Sequence, residues 1–136
     1  MEAKVNRVLL IDDSEIDTFV SRRVIETAGF SSQVMIKYSA IEALSYLESP
    51  ANKDVLPEII FLDINMPFMN GFEFIREFDK LPKSTKGYCK IIVLSSSYHS
   101  GDIKEMTSHP LVMEFITKPL TQAVLNRIQQ ISTASQ

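Results

Sequence analysis

The stretch that decides the fold is Glu58-Ile-Ile-Phe-Leu-Asp63-Ile-Asn65-Met-Pro-Phe-Met-Asn70-Gly71. Four apolar residues, 59–62, lead without interruption to one acid, and such a run is typical of a strand buried on both faces. The Asn, Pro and Gly residues that follow favour a turn. Because ligands of an open parallel α/β sheet bind beyond the carboxyl ends of its strands, Asp63 is a candidate functional residue. The alternative is that it only begins a turn or caps a helix.

The same pattern of an apolar run followed by polar side chains recurs along the chain. It is found at residues 8–11 before Asp12 and Asp13, at residues 91–94 before Ser95, and at residues 113–117 before Lys118. Residues 32–38 alternate between apolar and polar side chains and predict one further strand. The chain is therefore expected to contain five strands.

Segments with helical character separate these strands. They lie between Ser14 and Gly29, between Ser39 and Pro50, and over residues 71–81, 101–109 and 120–131. Ser14 with Asp17 has the spacing of a capping box, and the apolar residues from Ile16 to Ala28 fall mostly at helical spacing. Residues 50–57 and 82–90 predict loops. Five strands that alternate with five helices predict a three-layer, doubly wound α/β fold with a parallel sheet.

Composition limits the classes of protein to which the chain can belong. A chain of 136 residues, 45% of them hydrophobic, suits one compact domain with a true core. The net charge of −3 gives no support for binding nucleic acid or a membrane surface. Cys89 is the only cysteine, so an intrachain disulfide is excluded. No apolar run is long enough to span a bilayer and no signal peptide is recognisable, so we expect a cytoplasmic protein.

The polar residues at the strand ends form a chemically coherent set, because the carboxyl ends of parallel strands meet at one edge of the sheet. Asp12, Asp13 and Asp63 would repel one another by about 4 kcal/mol per pair at about 4 Å and an effective dielectric constant near 20. Such a cluster needs a cation or raised pKa values. With oxygen ligands only, Mg²⁺ is the expected ion, with Mn²⁺ or Ca²⁺ as alternatives. Mg²⁺ beside Lys118 and Ser95 favours phosphoryl chemistry with an aspartate nucleophile.

Each member of the set also has a purely structural interpretation. Asp12 and Asp13 could cap the first helix, Ser95 could begin a helix, and Lys118 could be a solvated surface lysine. The occurrence of such residues at four separate strand ends favours a single functional site over four independent coincidences.

Four motifs together resemble the receiver domain of two-component response regulators over roughly residues 5–132. They are LLIDDS, FLDINMPFMNGFEF, IIVLSSS and FITKPL, each at the end of a predicted strand. The resemblance implies a flavodoxin-like (CheY-like) fold with strand order 2-1-3-4-5. It also implies that residues 1–136 form a single receiver domain, which we expect to lack an output domain.

The resemblance implies a role for each acidic residue. Asp63 would accept a phosphoryl group from a sensor histidine kinase or a histidine phosphotransfer protein. Asp13 and Asp63 would hold Mg²⁺ with their side chains and Asn65 with its backbone carbonyl, while Asp12 would support the ion through water.

The resemblance also implies a switch. Lys118 would pair with the phosphoryl oxygens, Ser95 would move toward the phosphoryl group, and Phe115 would turn inward with Ser95. The peptide bond between Lys118 and Pro119 is expected to be cis.

One departure from the family is that Phe115 lacks the hydroxyl of the more usual tyrosine. Asn65 and Ser97 flank the path of the attacking water, at positions where family members differ, and they leave the lifetime of the acyl phosphate open.

Without an output domain, the signal would pass by protein contact or by onward phosphotransfer. In the family the output face is formed by the helix after strand four, by strand five and by the final helix. Here that face would include Met106, Phe115, Leu120, Gln122 or their neighbours. The loops at 50–57 and 82–90 are long for the family and are either partner contacts or tolerated insertions.

Three other functions compete with this interpretation. An aspartyl-nucleophile phosphatase or mutase of the haloacid dehalogenase group would need an acid where Asn65 stands. A flavin-binding protein would need a Ser, Thr and Gly-rich loop where Asp12 and Asp13 stand. A degenerate receiver, used only as a scaffold, would have lost an acid or the lysine, and none is missing.

Overall fold

A five-stranded parallel sheet forms the centre of the molecule. The computed structural model describes residues 5–96, 104–106 and 108–134. The strands are β1 (Val8–Ile11), β2 (Val34–Lys37), β3 (Ile59–Asp63), β4 (Lys90–Ser95) and β5 (Val112–Thr117). Their order in the sheet is β2-β1-β3-β4-β5, and every neighbouring pair is parallel. The fold class and the strand order predicted from the sequence are therefore confirmed.

The register of the strands determines which side chains meet at the carboxyl edge. Ile11 of β1 pairs with Leu62 of β3, so the next residues, Asp12 and Asp63, lie side by side. Ser95, the last residue of β4, pairs with Thr117 of β5, which places it next to the turn that contains Lys118. The sheet thus collects residues from four strands at one edge.

Helices cover both faces of this sheet. They are α1 (Glu15–Thr27), α2 (Ala40–Glu48), α3 (Gly71–Phe78), α4 (Lys83–Tyr88) and α5 (Gln122–Ala134), with a 3₁₀ helix at Pro50–Asn52. Residues 104–106 are also helical. They belong to the predicted segment 101–109, of which residues 101–103 and 107 lie outside the described part of the chain. Ser97 also lies outside it.

The prediction of a loop over residues 82–90 is wrong, because α4 occupies most of it. Its sequence, KSTKGY, has weak helical propensity, so tertiary contacts decide the outcome. Thr85 is buried, and the Lys86 ammonium donates hydrogen bonds to the backbone carbonyl and to the carboxylate of Asp79. These contacts attach α4 to the end of α3.

The core has two halves, one on each face of the sheet. Ile60 and Leu62 pack on the face covered by α2 and α3, whereas Ile59 and Phe61 pack on the face that meets Ile25 of α1 and the apolar residues of α5. Successive residues of β3 therefore enter opposite halves of the core, which explains why the apolar run before Asp63 is unbroken. Cys89 is buried in the first half.

Helix α1 presents an unexpected face to the sheet. Its buried residues are Thr18, Ser21 and Ile25, whereas Ile16 and Phe19 are 75% and 68% exposed. The small side chains of Thr18 and Ser21 lie near Asp12 and Asp63, at the carboxyl edge of the sheet. The apolar residues near the start of α1 therefore face outward, although their helical spacing alone would suggest a buried face.

No helix in the described segments combines the length and the apolar character that crossing a lipid bilayer requires.

Candidate functional site

Three carboxylates meet at the carboxyl edge of β1 and β3. Asp12, Asp13 and Asp63 each offer an oxygen within 4.8 Å of the other two. Asp12 and Asp63 are buried, with 6% of each residue exposed, whereas Asp13 is open to solvent. The predicted acidic cluster is therefore present, with one side that faces water.

Lys118 reaches the same place from the turn after β5. Its Nζ atom lies 2.7 Å from Asp12 Oδ2 and 3.8 Å from Asp63 Oδ1. The backbone N–H of Lys118 donates a 2.8 Å hydrogen bond to the carbonyl of Ser95, which joins this turn to the end of β4. The Lys118–Pro119 peptide bond is cis, as the resemblance implied.

Asp17 also belongs to the site, although its spacing from Ser14 predicted only a capping box. Its carboxylate accepts a 2.8 Å hydrogen bond from Lys118 Nζ. The predicted capping box is only half formed. The Asp17 N–H donates to Ser14 Oγ, but the Ser14 N–H donates to Asp12 Oδ1, and no hydrogen bond from it to Asp17 is seen in the structure. Asp17 lies in the first turn of α1, shortly after Asp12 and Asp13 in the sequence, and this proximity could have indicated a role at the site.

The electrostatics of the cluster are unbalanced. The pKa of Asp63 is raised to about 7, first by burial and then by the neighbouring charge of Asp12, while Lys118 and the hydrogen bond from the Asn65 N–H oppose the shift. Burial alone would lower the pKa of Lys118, but its hydrogen bonds to Asp12 and Asp17 and the charge of Asp63 leave it raised. The lysine therefore stays charged but does not fully compensate Asp63.

The loop between β3 and α3 supports Asp63 from below. The Asn65 N–H donates to Asp63 Oδ1 at 3.4 Å, and the Gly71 N–H donates to the Ile64 carbonyl at 2.9 Å. A Cβ atom on Gly71 would lie 2.8 Å from the Ile64 Cα atom, so only glycine permits this close approach. Asn70 caps α3 in a full capping box with Glu73. These contacts close the loop tightly behind the carboxylate.

The remaining predicted residues take different positions. Ser95 is fully buried at the end of β4, and Phe115 is half-buried in β5, where it packs against the α2–α3 side of the core. Met106 and Leu120 are 1% and 2% exposed. Their assignment to an exposed output face is therefore wrong for this conformation, because both side chains belong to the core. Gln122 is exposed.

The donor set of the cluster fits a hard divalent cation. All three side chains supply oxygen, and burial together with the charge of Asp12 raises the pKa of Asp63, a shift that a bound cation would oppose. Mg²⁺ is commonly held by one or two carboxylates together with water and phosphate oxygens. The open side at Asp13 leaves room for such additional ligands.

Comparison with known proteins agrees with this geometry. The chain matches the family model of the response regulator receiver domain over residues 8–130. A solved two-component response regulator from Cytophaga hutchinsonii is 29% identical, has a TM-score of 0.88 and is covered over 98% of its length by 97% of this chain. A receiver protein from Dyadobacter fermentans is 26% identical, with a TM-score of 0.83 over 93% of this chain and 96% of that one. This chain belongs to the response regulator receiver domain family.

Relatives among curated proteins place such domains in different contexts. The response regulator Rcp1 from Synechocystis is 24% identical over 71% of this chain, and the hybrid signal transduction histidine kinase I from Dictyostelium discoideum is 25% identical over 90% of it. The chain spans 65% of the first protein's length and only 7% of the second's. Domains similar to this chain therefore occur both in a response regulator and within a hybrid histidine kinase.

Proposed function

We propose that this chain is a phospho-acceptor switch in which Asp63 receives a phosphoryl group in a reaction that depends on Mg²⁺. The observation that carries the proposal is the convergence of Lys118, Asp12 and Asp13 on the buried carboxylate of Asp63. The Asp63 carboxylate can act as a nucleophile toward phosphorus. Lys118, and a cation bound by Asp12 and Asp13, would offset the negative charge on the transferring group.

The transfer has a simple bond balance. A carboxylate oxygen of Asp63 forms a bond to phosphorus, and the bond between phosphorus and the donor's imidazole nitrogen breaks. The electron pair of that bond stays on the imidazole, which takes up a proton. The products are an aspartyl phosphate and a neutral histidine.

The residues around Asp63 would have two roles, which are to bind Mg²⁺ and to bind the phosphoryl oxygens. Asp12, Asp13, Asp63 and the Asn65 carbonyl would hold Mg²⁺, with Asp12 acting through water, and the ion would supply positive charge that offsets charge on the transferring group. Lys118 would pair with a phosphoryl oxygen, and its raised pKa supports a charged ammonium in that role. The Ser95 hydroxyl would donate to another phosphoryl oxygen, since Ser95 lies at the end of β4.

The phosphoryl group would then bias an equilibrium between two conformations. Ser95 and Phe115 are the proposed switch residues, and they lie on neighbouring strands β4 and β5. Gln122 and the partly exposed side of β5 are the parts of the proposed output face that remain accessible here. A downstream protein that reads this face, or onward phosphotransfer, would complete the signal.

We infer that the phosphodonor protein contacts the start of α1. Ile16, Phe19 and Val20 are exposed apolar residues at helical spacing, and Val20 lines a surface cavity of about 190 Å³ together with Asp17 and Lys118. Through Val20, the exposed apolar residues thus border the cavity that Lys118 lines. A protein that brings a phosphohistidine to Asp63 would cover this surface at the same time.

The phosphatase alternative has less support. The residue two positions after Asp63 is Asn65, which has no acidic side chain to act as a general acid or base. The degenerate-scaffold alternative would be favoured by a missing functional group, but all the acids and the lysine are present and close together.

Phosphorylation by a small donor tests the proposal without a kinase. Protein incubated with Mg²⁺ and acetyl phosphate is expected to gain one phosphoryl group by intact-mass spectrometry, with acetate as the leaving group. Asp63→Asn should gain none. Asp54→Asn is the matched control, because Asp54 is an exposed acid in the loop before β3, outside the acidic cluster. Equal labelling of Asp63→Asn and wild type would refute the proposal.

A further inference from the structure

The ammonium of Lys118 is shared between two acids, neither of which is the proposed acceptor. Lys118 Nζ lies 2.7 Å from Asp12 Oδ2 and 2.8 Å from Asp17 Oδ2, whereas Asp63 Oδ1 is 3.8 Å away. A lysine ammonium has three N–H donors, and two of them are engaged by Asp12 and Asp17. The distance to Asp63 is too long for a hydrogen bond.

Asp17 differs from the other acid that binds Lys118. Asp12 is part of the cluster that could hold a metal ion, and its side chain is only 9% exposed. Asp17 lies outside that cluster, on the first turn of α1, and its side chain is 43% exposed. The ion pair between Asp17 and Lys118 is therefore an additional contact that the metal site itself does not require.

We propose that Asp17 is a positioning residue that retains the Lys118 ammonium on the α1 side of the site and opposes its transfer to a phosphoryl group on Asp63. This inference rests on the proposed function, because it concerns how readily the site accepts the group. The contact would set the balance between the unmodified and the phosphorylated states of the domain.

The physical reason is competition for one cation. A phosphoryl group on Asp63 adds oxygens that accept hydrogen bonds. Lys118 can donate to them fully only if its hydrogen bond to Asp17 lengthens or is shared. The negative charge of Asp17 also remains close to the new dianion and repels it. Because Asp17 is partly solvated, the effect of removing its charge is expected to be about twofold to fivefold.

Beryllofluoride binding measures this balance directly, since it mimics the phosphoryl group on an aspartate without any turnover. The apparent dissociation constant is measured for purified wild type and Asp17→Asn at a fixed, saturating Mg²⁺ concentration, from chemical-shift changes in a titration. Asp17→Asn preserves the shape of the side chain but removes its charge, and it is expected to bind about twofold to fivefold more tightly.

Two control variants separate the ion pair from general effects of charge. Glu15→Gln removes an acid from the same turn of α1, but Glu15 has no ion pair among the described residues, so its affinity should equal that of wild type. Asp17→Glu keeps the carboxylate within reach of Lys118 and should also behave as wild type. A crystal structure of Asp17→Asn should show the Lys118 Nζ–Asp63 Oδ1 distance shortened from 3.8 Å.

The outcomes distinguish the two proposals. Tighter binding by Asp17→Asn alone, together with the shorter distance, supports the inference. Unchanged or weaker binding by Asp17→Asn, or equal tightening by Glu15→Gln, overturns it while leaving the phospho-acceptor function intact. If wild-type protein binds no beryllofluoride at all, the proposed function itself fails.

Discussion

The ammonium of Lys118 lies 2.7 Å from the carboxylate of Asp12 but 3.8 Å from that of Asp63. The lysine therefore compensates the neighbour of the proposed acceptor better than the acceptor itself. Burial and the charge of Asp12 then dominate at Asp63, and its pKa rises to about 7. The side chains of the chain itself thus compensate the charge of Asp12 better than that of Asp63, where the chemistry is proposed.

The free energy of unfolding should depend on pH because the pKa of Asp63 is raised in the folded protein. The pKa of Asp63 rises from 3.8 to about 7 on folding, so between these values the folded protein holds a proton that the unfolded chain releases. In metal-free buffer, the contribution of Asp63 to the free energy of unfolding should therefore fall as pH rises from about 4 to about 7, by about 1.4 kcal/mol per unit of pKa shift. Urea unfolding at several pH values measures it.

Asp63→Asn provides the reference for that measurement, because an amide does not titrate. The stability of this variant relative to wild type should increase from pH 4 to pH 7 and then level off. At pH 8, added Mg²⁺ should stabilise wild type more than the variant, since the proposed binding of the ion to the folded state would use this carboxylate. A stability difference that is the same at every pH would contradict the account of the cluster.

The close approach of Gly71 to β3 should make this position intolerant of any side chain. In Gly71→Ala, the new Cβ atom would lie 2.8 Å from the Ile64 Cα atom and 3.2 Å from the Asp63 carbonyl oxygen. Backbone must move to relieve this contact, so the variant is expected to lose about 1–3 kcal/mol of unfolding free energy. It should also bind Mg²⁺ more weakly, because Asn65 and Asp63 flank the displaced segment.

Gly87→Ala is the matched control for this substitution. Gly87 lies within α4, and a Cβ atom placed there would meet nothing within 4 Å. Alanine favours helix over glycine, so this variant should be as stable as wild type or more stable by up to about 1 kcal/mol. Equal losses in the two variants would show that the contact with Ile64 does not determine the effect.

The outward-facing apolar residues of α1 should matter for a protein donor but not for a small one. Phe19→Ser removes a side chain that is 68% exposed, so the fold should be retained. Phosphotransfer from a cognate phosphohistidine protein should slow at least about fivefold, whereas the rate with acetyl phosphate should not change. Tyr88→Ser, on the exposed surface of α4, is the control. Slowing with both donors would place the effect in the site rather than at a docking surface.

Much of the fold follows from the sequence because its strands are short apolar runs with clear ends. Residues 59–62 alternate between two halves of the core, which makes the buried parallel strand recognisable without a structure. The acidic cluster was predictable for the same reason, since the carboxyl ends of parallel strands must converge. Asp12, Asp63 and Lys118 therefore meet although they are far apart in the chain.

The remaining features depend on contacts that spacing does not reveal. Helical periodicity does not tell which arc of α1 packs on the sheet, and Thr18 and Ser21 are buried where Ile16 and Phe19 are not. The helix α4 forms from residues of weak propensity, and within it Thr85 is buried and Lys86 donates hydrogen bonds to Asp79. Asp17 has the spacing of a capping residue, but the Ser14 N–H donates to Asp12 instead. The Asp17 carboxylate accepts a hydrogen bond from Lys118.

The identity of the modified residue tests the central claim most directly. Wild-type protein is phosphorylated with acetyl phosphate and Mg²⁺ and then treated with borohydride, which reduces an aspartyl phosphate to homoserine. Peptide sequencing by mass spectrometry is expected to find homoserine at position 63 and aspartate at positions 12, 13 and 17. Homoserine at any of these other positions, or an acceptor that is not an aspartate, would contradict the account.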